Sequence, residues 1–500
     1  MPEPLQPLPI KNIGTYGVIR EAELNSNTTL YPEGGVTDAV NFHFDRKGAA
    51  SVRPGLTALG GTVLASRPCF GLHNAQQGTA IAVFSNGSSA TIYTLSSGAW
   101  GVSLDGGTAS VNVRFVDFGS YTIALNFMQN TYSSMRFWNA GSSRHWHHTG
   151  SPINPQNMWG YSPQFGEVFK SRVYLFGDNT PGGSGAVASN PSRLFFSSVI
   201  SSTGSITWSP SVDYVDINPG DGESGSGLRR YSLELLCFKP NYIYRFRTSG
   251  VDPDPLIKIG TRSNESVVEG KKGLYFHHDT GFYRYSGGYP TEISRPISDI
   301  VAAIPFSKFS SIVAWNDQDH IYWSLGNITV SETRENITYK NCVVRYTESS
   351  EIWTVYSYSS DLRRGMTYNS GSNITRIIGT DMGVVATHNL GVLDIGEPIK
   401  YRMRTKWYDW GEVATDKTIQ ELVTLCEKAQ ASELMYQTDD NTDWKSIGQL
   451  TKFANYFNKQ QIRLHRIKFQ ITGVSRFDPP VFLGIEITKG INEGLTYETR

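Results

Sequence analysis

The chain has 500 residues, of which 39 % are hydrophobic and 12 % aromatic, so global disorder is excluded and about two to four domains are expected. Lys plus Arg equals Asp plus Glu, 45 against 45, and the formal charge is zero. A dedicated nucleic-acid binder usually carries a basic surplus, so DNA contact is expected to be weak, no tighter than roughly micromolar at physiological salt.

The first residues, MPEPLQPLPIKN, carry Pro2, Pro4, Pro7 and Pro9 and no apolar core of a signal peptide. Proline fixes φ and removes donors, which predicts an extended arm that needs a surface to lie on. Forty residues on comes Ser51-Val52-Arg53-Pro54-Gly55-Leu56. From Ala80 short aromatic and β-branched runs alternate with small-residue turns, which predicts an all-β chain. AIAVFSNGSSATIYTL reads as two strands about the hairpin dipeptide Asn86-Gly87. VRFVDFGSYTIALNF, RVYLFGD, RLFFSSV, LELLCFKPNYIYRF, KGLYFHHDTGFYRYSGG, SIVAWNDQDHIYWSLG, CVVRYTESSEIWTVYSY and RIIGTDMGVVATH repeat the form. Units of roughly 40 to 50 residues fit propeller blades of about four strands, and about six such blades are expected between residues 65 and 395. A sandwich array is the alternative. Residues 179–190 and 218–227 are Gly/Ser-rich and predict exposed loops. Asn327-Ile328-Thr329 and Asn336-Ile337-Thr338 are expected in β-turns.

After Lys400 the texture changes to short strand-like segments, among them RLHRIKFQITG and PPVFLGIEITKG. In KTIQELVTLCEKA, Ile419, Leu422, Val423 and Cys426 fit helical spacing on the residues alone. No apolar run approaches the ~20 residues of a membrane-spanning helix. Cys69, Cys237, Cys342 and Cys426 are far apart with no CxxC pair, and are expected to be reduced core thiols of a chain made in a cytoplasm.

Few residues suggest chemistry. In Arg144-His145-Trp146-His147-His148, strand alternation puts His145 and His147 on one face and His148 on the other. Zinc needs three or four convergent ligands, so a surface or turn cluster is expected. His277-His278-Asp279 reads as a hairpin tip. Ser103 to Gly107 and Thr438 to Trp444 are imperfect versions of the Asp-box of sialidase-like propellers. Glycan cleavage needs two carboxylates flanking one bond, which sequence cannot place across blades. Aromatic-rich strands are expected to pack between blades or subunits, with a lectin's sugar platform as the rival.

Four places taken together resemble one family: Pro9-Ile10-Lys11-Asn12 with the Arg53-Pro54-Gly55-Leu56 turn; Leu235 to Arg245 (LLCFKPNYIYR); Gly281 to Ser294 (GFYRYSGGYPTEIS) leading into Ile297-Ser298-Asp299-Ile300; and Leu464 to Phe469 with Pro480 to Ile485. They resemble the tail nozzle, or packaged-DNA stabilisation, proteins of short-tailed bacteriophages. The resemblance implies an all-β subunit with a propeller over residues 61–395. Residues 1–60, an arm and part of a base, join residues 396–500 in one β-rich base, and 419–426 becomes a strand. It implies a virion protein assembled in the host cytoplasm as a hexameric ring below the portal and adaptor proteins. That ring passes double-stranded DNA without sequence specificity and docks a tail needle, fibre or spike. No enzymatic activity, catalytic residue, cofactor or metal is expected. The rival expectations are a carbohydrate-binding or glycan-cleaving tail propeller, and a cellular propeller scaffold.

Overall fold

A computed structural model describes the chain except residues 1–2, 12, 14, 21–31, 33, 45–48, 62–63, 65, 76–77, 129–134, 140–145, 148–154, 159, 180–188, 202–204, 247–253, 332–334, 371–372, 413, 431 and 495–500. The chain is a β-propeller on a β-rich base built from its two ends. The about six expected blades resolve into seven four-stranded units. Their first strands are Cys69–Ala75, Arg114–Phe118, Pro163–Phe169, Gly227–Tyr231, Val268–Glu269, Val313–Asp317 and Leu362–Ser370. Blade 7 takes its fourth strand, Leu56–Ala58, from the other end of the chain. It pairs antiparallel with Val385–His388, Leu56 opposite His388. Closing a ring with a distant strand leaves no open blade edge at the seam. The propeller therefore draws on residues before 61, the boundary expected from sequence.

Among the described residues seven apolar clusters hold the ring together, and the one between blades 5 and 6 is continuous with the core of the base. Val83 and Ile92 of blade 1 pack with Ala124 and Trp138 of blade 2. Trp315 and Tyr322 of blade 6 meet Leu362 and Ile378 of blade 7, and Ile377 of blade 7 meets Phe84 of blade 1. Second strands such as Thr79–Ser85 and Glu234–Phe238 are buried on both faces. That is why they read as unbroken apolar runs rather than as alternating ones. At blade 2, Gly166 of blade 3 comes so close that a Cβ would lie 2.5 Å from Val116 Cγ2. At the boundary of blades 5 and 6 the aromatics concentrate: the Phe282 ring is 4.6 Å from Trp323 and 5.5 Å from Trp353. Aromatic packing between blades is what the strands' composition predicts.

Blade 6 ties the propeller to the base. Its middle strands, His320–Ser331 and Asn336–Thr347, are twelve residues each, and their far halves leave the blade after bulges near Gly326. Ile328, Val330, Ile337 and Tyr339 on one face are buried in the base core, while Asn327, Thr329, Asn336 and Thr338 face out. The Asn-Ile-Thr triplets are thus strand segments and not turns: their β-branched residues suit a half-buried ribbon. The fourth strand, Ile352–Ser357, bridges Val36–Val40 of the base through Val355 and Val40. There Asp38 accepts hydrogen bonds from Tyr339 Oη (2.8 Å) and Arg402 Nε (2.8 Å). Burial raises its pKa, but Arg402, Arg20 and Arg404 outweigh that and hold it at about 2.

The base packs two sheets face to face. One orders Ala454–Leu464, Asp416–Glu427, Val481–Gly494, Ala50–Val52 and Phe42–Phe44; the other joins Val36–Val40, Glu397–Thr405, Ile467–Ser475, Ser432–Thr438 and Lys445–Leu450. Phe42, Phe482 and Tyr401 form an aromatic triangle between them, with centroids 5.6 to 6.0 Å apart. Residues 419–426 are strand. Against Val481–Gly494 a bulge between Ile419 and Glu421 inserts one residue, so Ile419 and Leu422 share the buried face three positions apart. That insertion is what imitates helical spacing. The proline arm lies on this base in extended form. Glu3–Pro4 and Leu8–Lys11 pair with the chain's own strand Val481–Gly494, and Ile10, opposite Ile485, is 2 % exposed.

Candidate functional site

The Arg53-Pro54-Gly55-Leu56 turn forms the junction of base, blade 6 and blade 7. Arg53 is fully buried and uses all five N–H donors. Nε reaches Asn41 Oδ1 (2.8 Å), Nη1 reaches Asp394 Oδ1 (2.9 Å) and Pro54 O (2.9 Å), and Nη2 reaches Asp394 Oδ2 (2.6 Å) and Ser357 O (3.0 Å). Its guanidinium carbon lies 3.8 Å from the Tyr358 ring centre. Gly55 is required because a Cβ there would lie 2.0 Å from Leu393 O. Leu56 then opens the closing strand. Beside this junction a cleft of about 1060 Å³ separates blades 6 and 7 from the base, lined among others by Tyr358, Ser360, Glu397, Arg402 and Gln449. Its Asp394 is engaged by Arg53, and Tyr358 Oη is 3.0 Å from His388 Nε2. Burial pushes the Tyr358 hydroxyl well above its ordinary pKa, so it stays protonated near neutrality.

The exposed side of the first base sheet is apolar at one end. Leu425 (36 % exposed), Phe453 (58 %), Tyr456 (71 %) and Phe477 (73 %) all stand in solvent. Backbone contacts bring them together: Tyr456 pairs with Val423 two residues from Leu425, Phe453 O accepts the Cys426 N–H (2.9 Å), and Gln430 Oε1 accepts the Arg476 and Phe477 N–H groups (3.2 and 3.3 Å). Inward-facing Leu422 and Cys426 on the same strand are buried. Exposed large apolar side chains grouped at one end of a sheet are the mark of a contact surface. Sequence reading missed it because the bulge hides which residues of 416–427 face outward.

The chemical candidates fall out as follows. Arg144, His145 and His148 lie outside the described residues, and His147 sits on the outer strand of blade 2, its backbone opposite Phe137. The expected hairpin tip holds: Leu274–His278 and Gly281–Tyr285 flank Asp279-Thr280. His277 is buried against Phe282 and Phe309, and burial brings its pKa down to about 3. His278 Nδ1 meets Thr280 Oγ1 (2.9 Å), and Asp279 is held by Arg262 (2.8 Å). Ser103 to Gly107 runs along the outer strand of blade 1, where Asp105 accepts from Thr91 (2.6 Å). Thr438 to Trp444 connects two base strands, and the Trp444 ring is capped by Arg404 and Lys468. The four cysteines are free and buried.

Among the described residues, Asp439, Asp440 and His465 gather three metal-ligating groups in the base. Asp439 Oδ1 already accepts the His465 and Arg466 N–H groups (3.2 and 3.0 Å), and the two His465 ring nitrogens face Asp416 (3.0 Å) and Asp439 (3.3 Å). The group is therefore satisfied as a hydrogen-bonded corner. Of the two Gly/Ser-rich segments, 180–188 lies outside the described residues. Residues 218–227 are partly exposed yet pinned: buried Lys239 Nζ reaches Asp221 Oδ1 (2.7 Å), Asn218 O (3.0 Å) and Ser192 Oγ (3.0 Å).

No protein-family model and no curated protein matches the sequence. Among solved structures, the chain is similar to virginiamycin B lyase from Staphylococcus aureus, with 12 % identity, a TM-score of 0.41, and coverage of 66 % of this chain and 97 % of that one. It is also similar to YCF48 from Cyanidioschyzon merolae (9 % identity, TM-score 0.38, 67 % and 98 % covered). A third likeness is to the Neurospora crassa Pan2 WD40 domain (8 % identity, TM-score 0.37, 67 % and 94 % covered).

Proposed function

We propose that the chain is a structural subunit of a bacteriophage tail nozzle. In this reading it assembles as a six-fold ring below the portal and adaptor, continues the DNA channel, and docks a needle, fibre or spike at its far end. The observation that carries the reading is the group of exposed apolar residues Leu425, Phe453, Tyr456 and Phe477 on a base built from both chain ends. Such a group calls for burial against a neighbouring subunit. The sequence resemblance and the zero formal charge support the same role. In this reading the channel works by geometry, because a chain with no basic surplus has few phosphate contacts to offer as DNA slides.

The test is native mass spectrometry of the full chain with phage adaptor rings, comparing wild type with Leu425→Lys/Tyr456→Lys. Wild type should join adaptor rings in six copies. The variant should melt like wild type and stay monomeric, since both side chains are already in solvent. Wild type that never joins a ring, or a variant that assembles as well as wild type, overturns the reading.

A further inference from the structure

The seven first strands of the propeller surround a cavity of about 290 Å³ on its axis, and every one of them supplies lining residues. The charges around it do not balance. Arg114, Arg229 and Arg364 face it from blades 2, 4 and 7, while Glu265, on the turn before blade 5, is the one carboxylate among its lining residues. Glu265 is taken by a single partner in bidentate fashion, accepting from Arg114 Nε (2.6 Å) and Nη2 (3.1 Å). Arg229 spends Nη2 on Asn264 O (3.2 Å). Arg364, only 8 % exposed, donates Nε to Phe70 O (3.3 Å) and Nη1 to Arg363 O (2.6 Å), and its Nη2 has no partner. His73, also on the wall, places Nε2 2.9 Å from Asp117 Oδ1, so that pair is self-contained.

A buried guanidinium with an open donor is costly unless something satisfies it. Its field is felt: burial disfavours the charged form of Glu265, yet Arg114, Arg364 and Arg229 together hold that carboxyl far below its ordinary range. Burial and the neighbouring Arg114 in turn pull the Arg364 pKa down. Three arginines thus face the cavity against one lining carboxylate, and Glu167, the other carboxylate that interacts with Arg229, lies off the cavity wall.

We propose that the axial cavity binds a small oxyanion of the class of inorganic phosphate, held by the open Nη2 of Arg364 and the guanidinium of Arg229. Guanidinium forks match the paired oxygens of such an anion and match chloride poorly. Glu265 acts as an internal competitor, since it occupies the Arg114 fork that would otherwise turn to the ligand. The site is independent of the nozzle reading: it needs the closed propeller and nothing from the base or a ring.

The test is calorimetric titration of inorganic phosphate into the full chain at constant ionic strength, with sodium chloride as the control. One saturable site per chain is expected with phosphate and none with chloride. Arg364→Gln should weaken binding by about tenfold or more, the loss of one charge-assisted contact. Glu265→Gln should tighten it, because Arg114 is released. These opposite signs separate a ligand site from a merely structural cluster, in which both substitutions would act only on melting temperature. Should Arg364→Gln fail to fold, Arg229→Gln and Glu265→Gln carry the same comparison. A DNA duplex should not displace phosphate, being too wide for the cavity. No saturable phosphate heat, equal affinity in the variants, or displacement by the duplex would each overturn the proposal.

Discussion

Replacing Asp394 by Asn should be among the most damaging single changes in the molecule. Asp394 is 3 % exposed and supplies both oxygens that face the Arg53 fork, at 2.9 and 2.6 Å. The amide would keep the shape but remove the charge, and its N–H groups would confront guanidinium N–H groups. A buried cation left without its partner costs about 3–5 kcal/mol, a large share of the roughly 5–15 kcal/mol that holds a typical domain. Little relief is available, because the other three Arg53 donors already have partners and Tyr358 closes the remaining face. Replacing both members, Arg53→Met with Asp394→Leu, removes the charges together and should cost far less than Asp394→Asn alone. The assay is urea unfolding followed by tryptophan fluorescence at pH 7. One transition is expected, since the blade 6 ribbon and the base share a core. An Asp394→Asn cost below about 1 kcal/mol would refute the reasoning, because the pair would then be no more than a surface contact.

Acid should weaken the fold through its buried histidines. His277 and His388 are brought from 6.5 to about 3, chiefly by burial, so the folded chain keeps them neutral while the unfolded chain takes up protons. Stability is complete above about pH 6.5 and falls as pH drops toward 3, by at most about 5 kcal/mol per histidine. Urea midpoints should fall from pH 7.5 to 5, less so in His277→Leu, and a flat profile contradicts the argument. Ellman's reagent should find almost no thiol in the native chain and four in guanidinium chloride, because all four are buried and burial raises the Cys69 thiol to about 11. Fast native labelling of any one of them would show that its surroundings open. Deleting residues 1–11 should leave a folded chain less stable by at least about 2 kcal/mol, the burial of Ile10 alone. An unchanged urea midpoint would mean that the arm does not hold the strand Val481–Gly494.

Much of the propeller is legible in the sequence where a hairpin is local. Asn86-Gly87 sits between Thr79–Ser85 and Ala90–Ser96, and KGLYFHHDTGFYRY gives Leu274–His278 and Gly281–Tyr285. What escapes is non-local or too short. Blade 5 has two-residue first and fourth strands, Val268–Glu269 and Thr291–Glu292, which carry no periodicity. The closing strand Leu56–Ala58 is three residues long and pairs with a segment at the far end of the propeller. The blade count expected from periodicity is therefore one short. The Asn-Ile-Thr triplets mislead because asparagine and threonine favour turns locally, while a core partner outside the blade holds them extended. The axial arginines leave a faint trace, one each in the first strands of blades 2, 4 and 7, which only ring closure converts into a cluster.

The short motif at Arg53 to Leu56 acquires a mechanical meaning from its surroundings. Arg53 ties base strand to blade 6 through Asn41 and Ser357, Gly55 lies flat on Leu393, and Leu56 begins the strand that seals blade 7. Opening the propeller at its seam would pull Leu56–Ala58 from Val385–His388 and drag Arg53 away from Asp394. That exposes a buried charge pair as well as a strand edge. Opening the base would break the same pair from the other side. One arginine thus makes seam and base fail together rather than in turn. In the proposed nozzle, a subunit that must hold its shape while DNA is retained and then passed gains from this coupling. Local opening of a blade, the ordinary low-energy escape of a repeat fold, would carry the penalty of a buried ion pair.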